Sequence, residues 1–542
     1  MTTTSNTHFN LIDEPWIIIR PRNGPPREAS IRETLVEAED TRTILGDIPT
    51  QAFAIARVLL AICRRAIEWG ADPVGTWEEV WNRGSLPMDQ IDQYLNRVHS
   101  RFDLFAPAAP FYQVTGFQTA AGTFRPVDLL ISDIPAGSKY FTTRAGARAE
   151  RLAFSEAARW VVHCQAFDSS GIKSGDPRDP RTKNGKGYPI GVAWCGQLGG
   201  VLFEGRNLFE TLMFNTVLQH HRRSTLSAGD LPAWERDDPG VGCREDLTPT
   251  GPTDILTWQS RRICLQREGD VVTGVLVGNG DPIDPYNQHT VESMTRWRYS
   301  ENQSKKAGEP RYYPSQLDPG RALWRGIESL LADLPAPEGK PSPGFAPGVV
   351  GWIDQLVNDG ILEASLPVRP HALGLQYINQ ASFVGASIDD ELLVHALLLD
   401  HESEARVFVT RAVQCADDAV SALAALAGNL AEAAGGDPAG ARSTSRAQGF
   451  FAIDAPFRRW VANILPDTDY TAAARDWQVE VRNIVAGQAY ELIGSAGRPA
   501  WKGRLVRDRW LDSALAERYF WAALRKALPS AFEQVENKVG AQ

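Results

Sequence analysis

The sequence predicts an α+β protein, with a large mixed α/β domain over residues 1–399 and a C-terminal four-helix bundle over 400–542. Three observations predict it. A short aromatic and β-branched run, Pro15-Trp16-Ile17-Ile18-Ile19, reads as a strand near the start. Helical and strand-like segments then alternate without an internal repeat. After about residue 400 the composition turns Ala-rich and helical spacing takes over. With 542 residues, the chain is long enough for two domains.

The elements follow in order. Trp16 to Ile19 forms the first strand, and Asn23-Gly24 closes it into a hairpin. Residues 49–69 carry Ile55, Val58, Leu59, Ile62 and Ala66 at helical spacing. Pro49 suits the start of that helix and Gly70 its end; Arg64 and Arg65 complement the dipole in its last turn. A further helix is expected over Asp89 to Val98, and a mixed helical pattern over Arg151 to Ala166. Phe167 to Gly200 is rich in glycine and proline and reads as a long loop, of the kind that is functional or disordered. Leu208 to His221 reads as a helix. Arg262–Gln266 and Val271–Val277 read as strands joined at Gly269-Asp270, and Pro335 to Pro347 as a surface loop or linker. Glu402 to Ala434 is helical and stops at Gly435-Gly436. Gly435 to Arg446 then reads as a mobile polar link, before helices at about 452–463, 470–493 and 511–527.

Composition excludes several classes. Hydrophobic residues make up 43 % and charged residues 23 %, as in a globular protein. A formal charge of −10 argues against a protein that coats nucleic acid unaided, though not against local basic patches. No apolar run reaches the roughly 18–20 residues that span a bilayer. Met1 to His8 lacks the pattern of a secretory signal, so a cytoplasmic chain with no membrane partner is expected. The six cysteines stand alone with no Cys-x-x-Cys pair, and no metal or cofactor is expected.

Catalytic patterns are missing. His220-His221 lacks the spacing of a metal site, and Gly196 to Gly200 lacks the Lys-Ser/Thr of a phosphate loop. A non-enzyme is expected; metal-dependent cleavage of duplex by the glycine-rich tract would overturn that expectation.

Four basic groups are more informative. They are Arg144, Arg148 and Arg151; Lys173, Arg178, Arg181, Lys183 and Lys186; Arg296, Arg298, Lys305, Lys306 and Arg311; and Arg498, Lys502, Arg504, Arg507 and Arg509. One such group is ordinarily a solvated face. Four of them on loops of an acidic protein point to phosphate contacts. The small residues from Ser169 to Gly175 let a backbone approach a ligand closely, although a plain turn has the same composition. Leu375 to Ser382 is a strand-like run ending in two amides and two small residues. That is a polar turn by pattern, and also a tip able to hydrogen-bond base edges.

Phe9 to Arg20 resembles the opening of the CasA family, the large subunit of the type I-E CRISPR surveillance complex (Cascade). Three later segments resemble that family in the same order. Phe141-Thr142-Thr143, with Thr143, Arg144 and Arg148, falls where the family carries a loop close to DNA and guide. Ser170 to Gly175 resembles its glycine loop, and Asn379-Gln380-Ala381-Ser382 its glutamine wedge. The resemblance spans about residues 9–385 and is weaker over the helical C-terminal part.

The resemblance implies a non-catalytic subunit for antiviral defence. Such a subunit recognises a protospacer-adjacent motif (PAM) in foreign double-stranded DNA, wedges the duplex open for guide RNA and R-loop formation, and helps recruit a helicase-nuclease. Implied partners are target DNA, the CRISPR guide RNA, and the small, backbone and guide-end subunits of the ribonucleoprotein. Ser170 and Gly171 would face the PAM minor groove, with Lys173 beside them. Gln380 would be the wedge tip, flanked by Asn379 and Ala381. Lys305 is the choice for a lysine entering the minor groove, with Arg298 and Lys306 as alternatives. Two departures stand out: no cysteine-rich zinc insertion is present, and Ser169-Ser170 replaces further glycines. A scaffold subunit with no direct PAM reading is the alternative.

Overall fold

The computed structural model describes residues 8–132, 150–244, 247–331, 333, 336, 338–506 and 508–533. They fall into two compact units. The first draws on Met1–Arg321, Ala332–Leu362 and Pro367–Glu391; the second on Ala322–Leu331, Glu363–Leu366 and Leu392–Gln542.

The first unit is a set of small antiparallel sheets around buried helices. Ile17–Pro21 lies between Arg27–Ala29 and Thr41–Leu45, with Ile17 opposite Ala29 and Ile18 opposite Leu45. Ile17 and Ile19 point into the core, and the buried Trp16 indole N–H donates to the Leu11 carbonyl at 3.0 Å. Ser30 then starts the helix Ile31–Val36 with a reciprocal capping box to Glu33.

Helix Pro49–Ala66 is buried on almost every side, against Phe154–Phe167 among others. Its Arg57 is therefore buried with Glu292 at 2.9 Å, and Glu292 also accepts from the Trp194 indole at 2.7 Å. Full pairing is what makes a charge tolerable there.

The helix expected over Leu208 to His221 is shorter: it spans Leu208–Asn215. Side chains of Asn215 and Thr216 bond back to backbone carbonyls and offer the chain an alternative to another helical turn. Gln219–His220 then pairs with Arg223–Ser224. The strands expected at 262–266 and 271–277 extend to Arg261–Glu268 and Val271–Asn279, turning at Gly269 (φ +58°). The Phe167–Gly200 tract is not structureless. Lys173–Ser174, Lys186–Gly187 and Thr182–Lys183 form a small three-stranded sheet. Within the expected 335–347 loop, Gly344–Phe345 pairs with Trp297–Tyr299, and the approach needs glycine: a Cβ on Gly344 would meet the Trp297 carbonyl at 2.3 Å.

The second unit is helical, built on Glu404–Ala434, Pro438–Val461, Tyr470–Gly494 and Ser513–Ala527. The expected 435–446 link is overturned. Gly435 (φ +85°) ends one helix, and Asp437 caps the next through Ala439 N–H and Gly440 N–H, so the helix begins at Pro438. Aromatic rings fill the interior: Trp324 stacks on Phe457 at 4.5 Å and Trp460 on Trp477 at 5.3 Å. Among the described residues, no helix is long and apolar enough to cross a membrane.

Candidate nucleic-acid interface

Strands Pro367–Ile378 and Phe383–Glu391 form an antiparallel hairpin, in register from His371 opposite Glu391 to Ile378 opposite Phe383. Gly200–Glu204 pairs along the other edge of the first strand and anchors its base. A bulge at Gln376/Tyr377 re-aims the end of the hairpin.

The turn is Asn379-Gln380-Ala381-Ser382. Asn379, Gln380 and Ala381 have φ of 50°, 58° and 62°. That left-handed region costs an ordinary residue roughly 1–2 kcal/mol, and asparagine tolerates it best. Local bonds hold the conformation. Ser382 N–H donates to the Ile378 carbonyl at 3.1 Å, and its hydroxyl to the Asn379 carbonyl at 2.6 Å. Asn379 and Gln380 are exposed at the tip. Backbone strain of this kind concentrates at functional sites.

The tip is joined to the glycine tract. Ser170 N–H donates to the Ala381 carbonyl at 2.9 Å. Behind the tip, the Tyr377 hydroxyl donates to the Phe167 carbonyl. Burial raises the Tyr377 pKa, with Asp168 adding to the effect, so the hydroxyl keeps its proton. The Tyr377 ring lies against Gly196, where a Cβ would meet its oxygen at 2.7 Å. Thus the structure brings two of the sequence-predicted segments together, Ser170-Gly171 and Asn379-Gln380-Ala381.

Gly171 has φ +156°, a conformation that side-chain-bearing residues rarely adopt, and a Cβ there would meet nothing within 4 Å. The glycine serves the backbone path and leaves an open face, with no neighbour packed against it.

Lys173 is placed differently from its neighbours. Its ammonium is 2.6 Å from the Asp168 carboxylate and its side chain is 10 % exposed. The same carboxylate pairs with Arg261 Nε. The buried Arg261 also donates to the carbonyls of Asp168, Ser169 and Gly191, at 3.2, 3.1 and 2.9 Å. Burial alone would raise the Asp168 pKa; Lys173 and Arg261 hold it below the usual carboxylate range. Arg261 therefore fixes the root of the glycine loop. Sequence reading missed it because a buried arginine in a strand carries no local mark.

Exposed apolar side chains flank the turn on the hairpin strands, Ile378, Phe383 and Val384, and Ile172 in the glycine tract is exposed too. The third basic group lies on separate elements. Lys305 sits on helix Glu301–Ala307 and pairs with Glu301 at 2.7 Å, both exposed. Arg298 is on strand Trp297–Tyr299, and Arg311 stacks on Tyr286 at 3.6 Å. Phe141, Thr143, Arg144 and Arg148 lie outside the described residues.

At the hairpin base, Glu204, His371 and Glu391 approach one another as metal ligands do. Both ring nitrogens of His371 are already bonded to carboxylates, and Arg369 lies 3.8 Å from Glu204 and from Glu391. Two cations already serve these acids, which makes the group an ion-pair network. Cys63 and Cys195 are buried, and burial pushes each thiol up to about 12, so neither is a reactive thiolate.

The fold and the tip define a protein that presents a strained, amide-bearing hairpin beside an open glycine loop. Comparison with known proteins gives the family. The family model for CRISPR-associated protein Cse1 matches residues 10–488. A crystal structure of Thermobifida fusca Cse1 is 40% identical, with a TM-score of 0.91 over 98% of this chain and 100% of that one. CasA/Cse1 of Thermus thermophilus is 29% identical over 334 residues, a match covering 60% of each protein. A chain of a CRISPR RNA-guided surveillance complex shares the fold at a TM-score of 0.60 and 18% identity, over 90% of this chain and 98% of its own. The chain belongs to the Cse1 family.

Proposed function

We propose that this chain is the large, non-catalytic subunit of a cytoplasmic type I-E Cascade complex. In this reading it recognises a PAM in foreign duplex DNA, opens the adjacent step for the guide RNA, and helps recruit the helicase-nuclease. The observation that carries the reading is the hydrogen bond from Ser170 N–H to the Ala381 carbonyl, 2.9 Å long, which couples the glycine loop to the strained tip. Gly171 and Ser170 present backbone to a minor groove, where the donor and acceptor pattern is degenerate and several PAMs are tolerated. Guide pairing reads the long sequence, so the protein need read only a short one. Gln380 enters the opened step with Asn379 and Ala381 beside it. Unstacking costs a few kcal/mol, offset by contacts to the separated bases. Lys305, or Arg298 or Lys306, supplies a cation to the groove.

The test is permanganate footprinting of thymines beside the PAM in the assembled complex. Gln380→Ala is expected to assemble and to bind PAM duplex while leaving those thymines unreactive; reactivity equal to wild type would remove the wedge role. A scaffold reading gains support from Lys173 and Lys305, both ion-paired within the chain. Replacing Lys305 and Lys306 together by alanine separates the readings. PAM reading requires weaker duplex binding and a shallower salt slope; a scaffold shows neither.

A further inference from the structure

The fourth basic group has no part in the site above. In the second unit, the short helix Arg498–Lys502 leads through Gly503 into a hairpin of Arg504–Val506 and Arg509–Leu511. Leu505 is opposite Trp510, and Val506 opposite Arg509. Strand alternation puts Leu505 and Trp510 on one face, and Arg504, Val506, Arg509 and Leu511 on the other.

The second face closes on the unit. Leu511 is buried with Ala433 and Ala500, and Val506 packs against them. The Arg504 guanidinium lies over Gly435, at the C-terminal end of helix Glu404–Ala434, where a cation complements the helix dipole. The first face is left to solvent. Leu505 is 64% exposed and Trp510 56%, and Trp501 on the helix just before is 61% exposed. Arg498 and Lys502 are exposed on that helix, and Arg504 and Arg509 on the hairpin's other face. Of the two nearby acids, Asp512 is spent capping the next helix through Leu515 N–H at 2.8 Å. A chain of net charge −10 has thus gathered cations and bare indoles in one place.

We propose that this face binds single-stranded nucleic acid, with bases stacked on Trp510 and Trp501 and phosphates held by Arg498 and Lys502. Indoles offer a stacking surface for bases that a duplex keeps hidden, and cations at the rim track the backbone. An acidic protein partner would satisfy the charges, but it has no comparable use for two exposed indole faces.

The test uses the full chain with a fluorescein-labelled oligo(dT), followed by anisotropy across a salt series. Trp510→Ala and Trp501→Ala are each expected to weaken binding about 5- to 100-fold. Trp510→Phe keeps a ring and is expected to retain most of the affinity. Lys502→Gln and Arg498→Gln are each expected to flatten the log–log salt slope by about 0.7. Absence of oligo(dT) binding by the wild type overturns the proposal, as does unchanged affinity of Trp510→Ala. Equal losses in Trp510→Phe and Trp510→Ala with a lowered melting temperature mark a structural role and overturn it too. So does a photocrosslinker at position 510 that captures a protein subunit in place of nucleic acid in the assembled complex.

Discussion

His371 sits at the base of the hairpin that carries Gln380, and its charge is predicted to hold that base together. Its Nδ1 is 3.0 Å from Glu204 Oε1 and its Nε2 is 2.7 Å from Asp389 Oδ1. Burial works against the charged ring, but the two carboxylates outweigh it and push the pKa up to about 9. An imidazole in an unfolded chain titrates near ~6.5. Because the folded value is the higher one, the stabilisation is fully present below about pH 6.5 and is lost as pH rises through about 9. The gap is about 2.5 pH units at roughly 1.4 kcal/mol each, or ~3 kcal/mol at most. Asp389 is 53% exposed, so solvent screens part of this, and about 1–3 kcal/mol is the expected size. Glu391, Arg369 and Arg42 face the same cluster. The assay is urea denaturation of wild type and His371→Gln at pH 6 and pH 9.5. Taking the difference between the two proteins cancels the titrating groups that do not touch His371. The difference should be about 1–3 kcal/mol at the lower pH and shrink towards zero at the higher. A difference that stays constant, or grows with pH, refutes the ion-pair account.

Three more predictions follow from the same hairpin and loop. Arg261→Met leaves the Asp168 carboxylate buried with Lys173 alone, and should destabilise by about 3–5 kcal/mol in denaturant melts; Asp168→Asn in that background should recover part of it. Tyr377→Phe strips the donor from the Phe167 carbonyl and should cost about 1–2 kcal/mol, read as a lower urea midpoint. Gly171→Ala meets no neighbour, so only its φ of +156° resists the change; about 1–3 kcal/mol is expected, with PAM-duplex affinity reduced by the displaced backbone.

Much of the helical C-terminal region was legible because local rules act there. Ala-rich periodicity and the Gly435 stop lie within one segment and need no distant partner. The link at 435–446 misled for a physical reason. Its small residues resemble a loop, yet Asp437 among them caps a helix through the Ala439 and Gly440 N–H groups, and that helix runs on through the link. Leu208 to His221 misled in the opposite sense, since apolar spacing continued past the point where Asn215 and Thr216 turned their hydrogen bonds inward.

The candidate site divides in the same way. Residue type and local order showed a small-residue loop and an amide-bearing turn, because flexible backbone and neutral amides are properties of short segments, and the family resemblance gave them their expected roles. That the two are joined by one hydrogen bond, that Lys173 is spent on Asp168, and that Arg261 roots the loop came only with the folded chain. Pairings between residues far apart in sequence depend on strand register and on which face each side chain takes. Burial then decides which charges remain available to a ligand, and no local pattern records it.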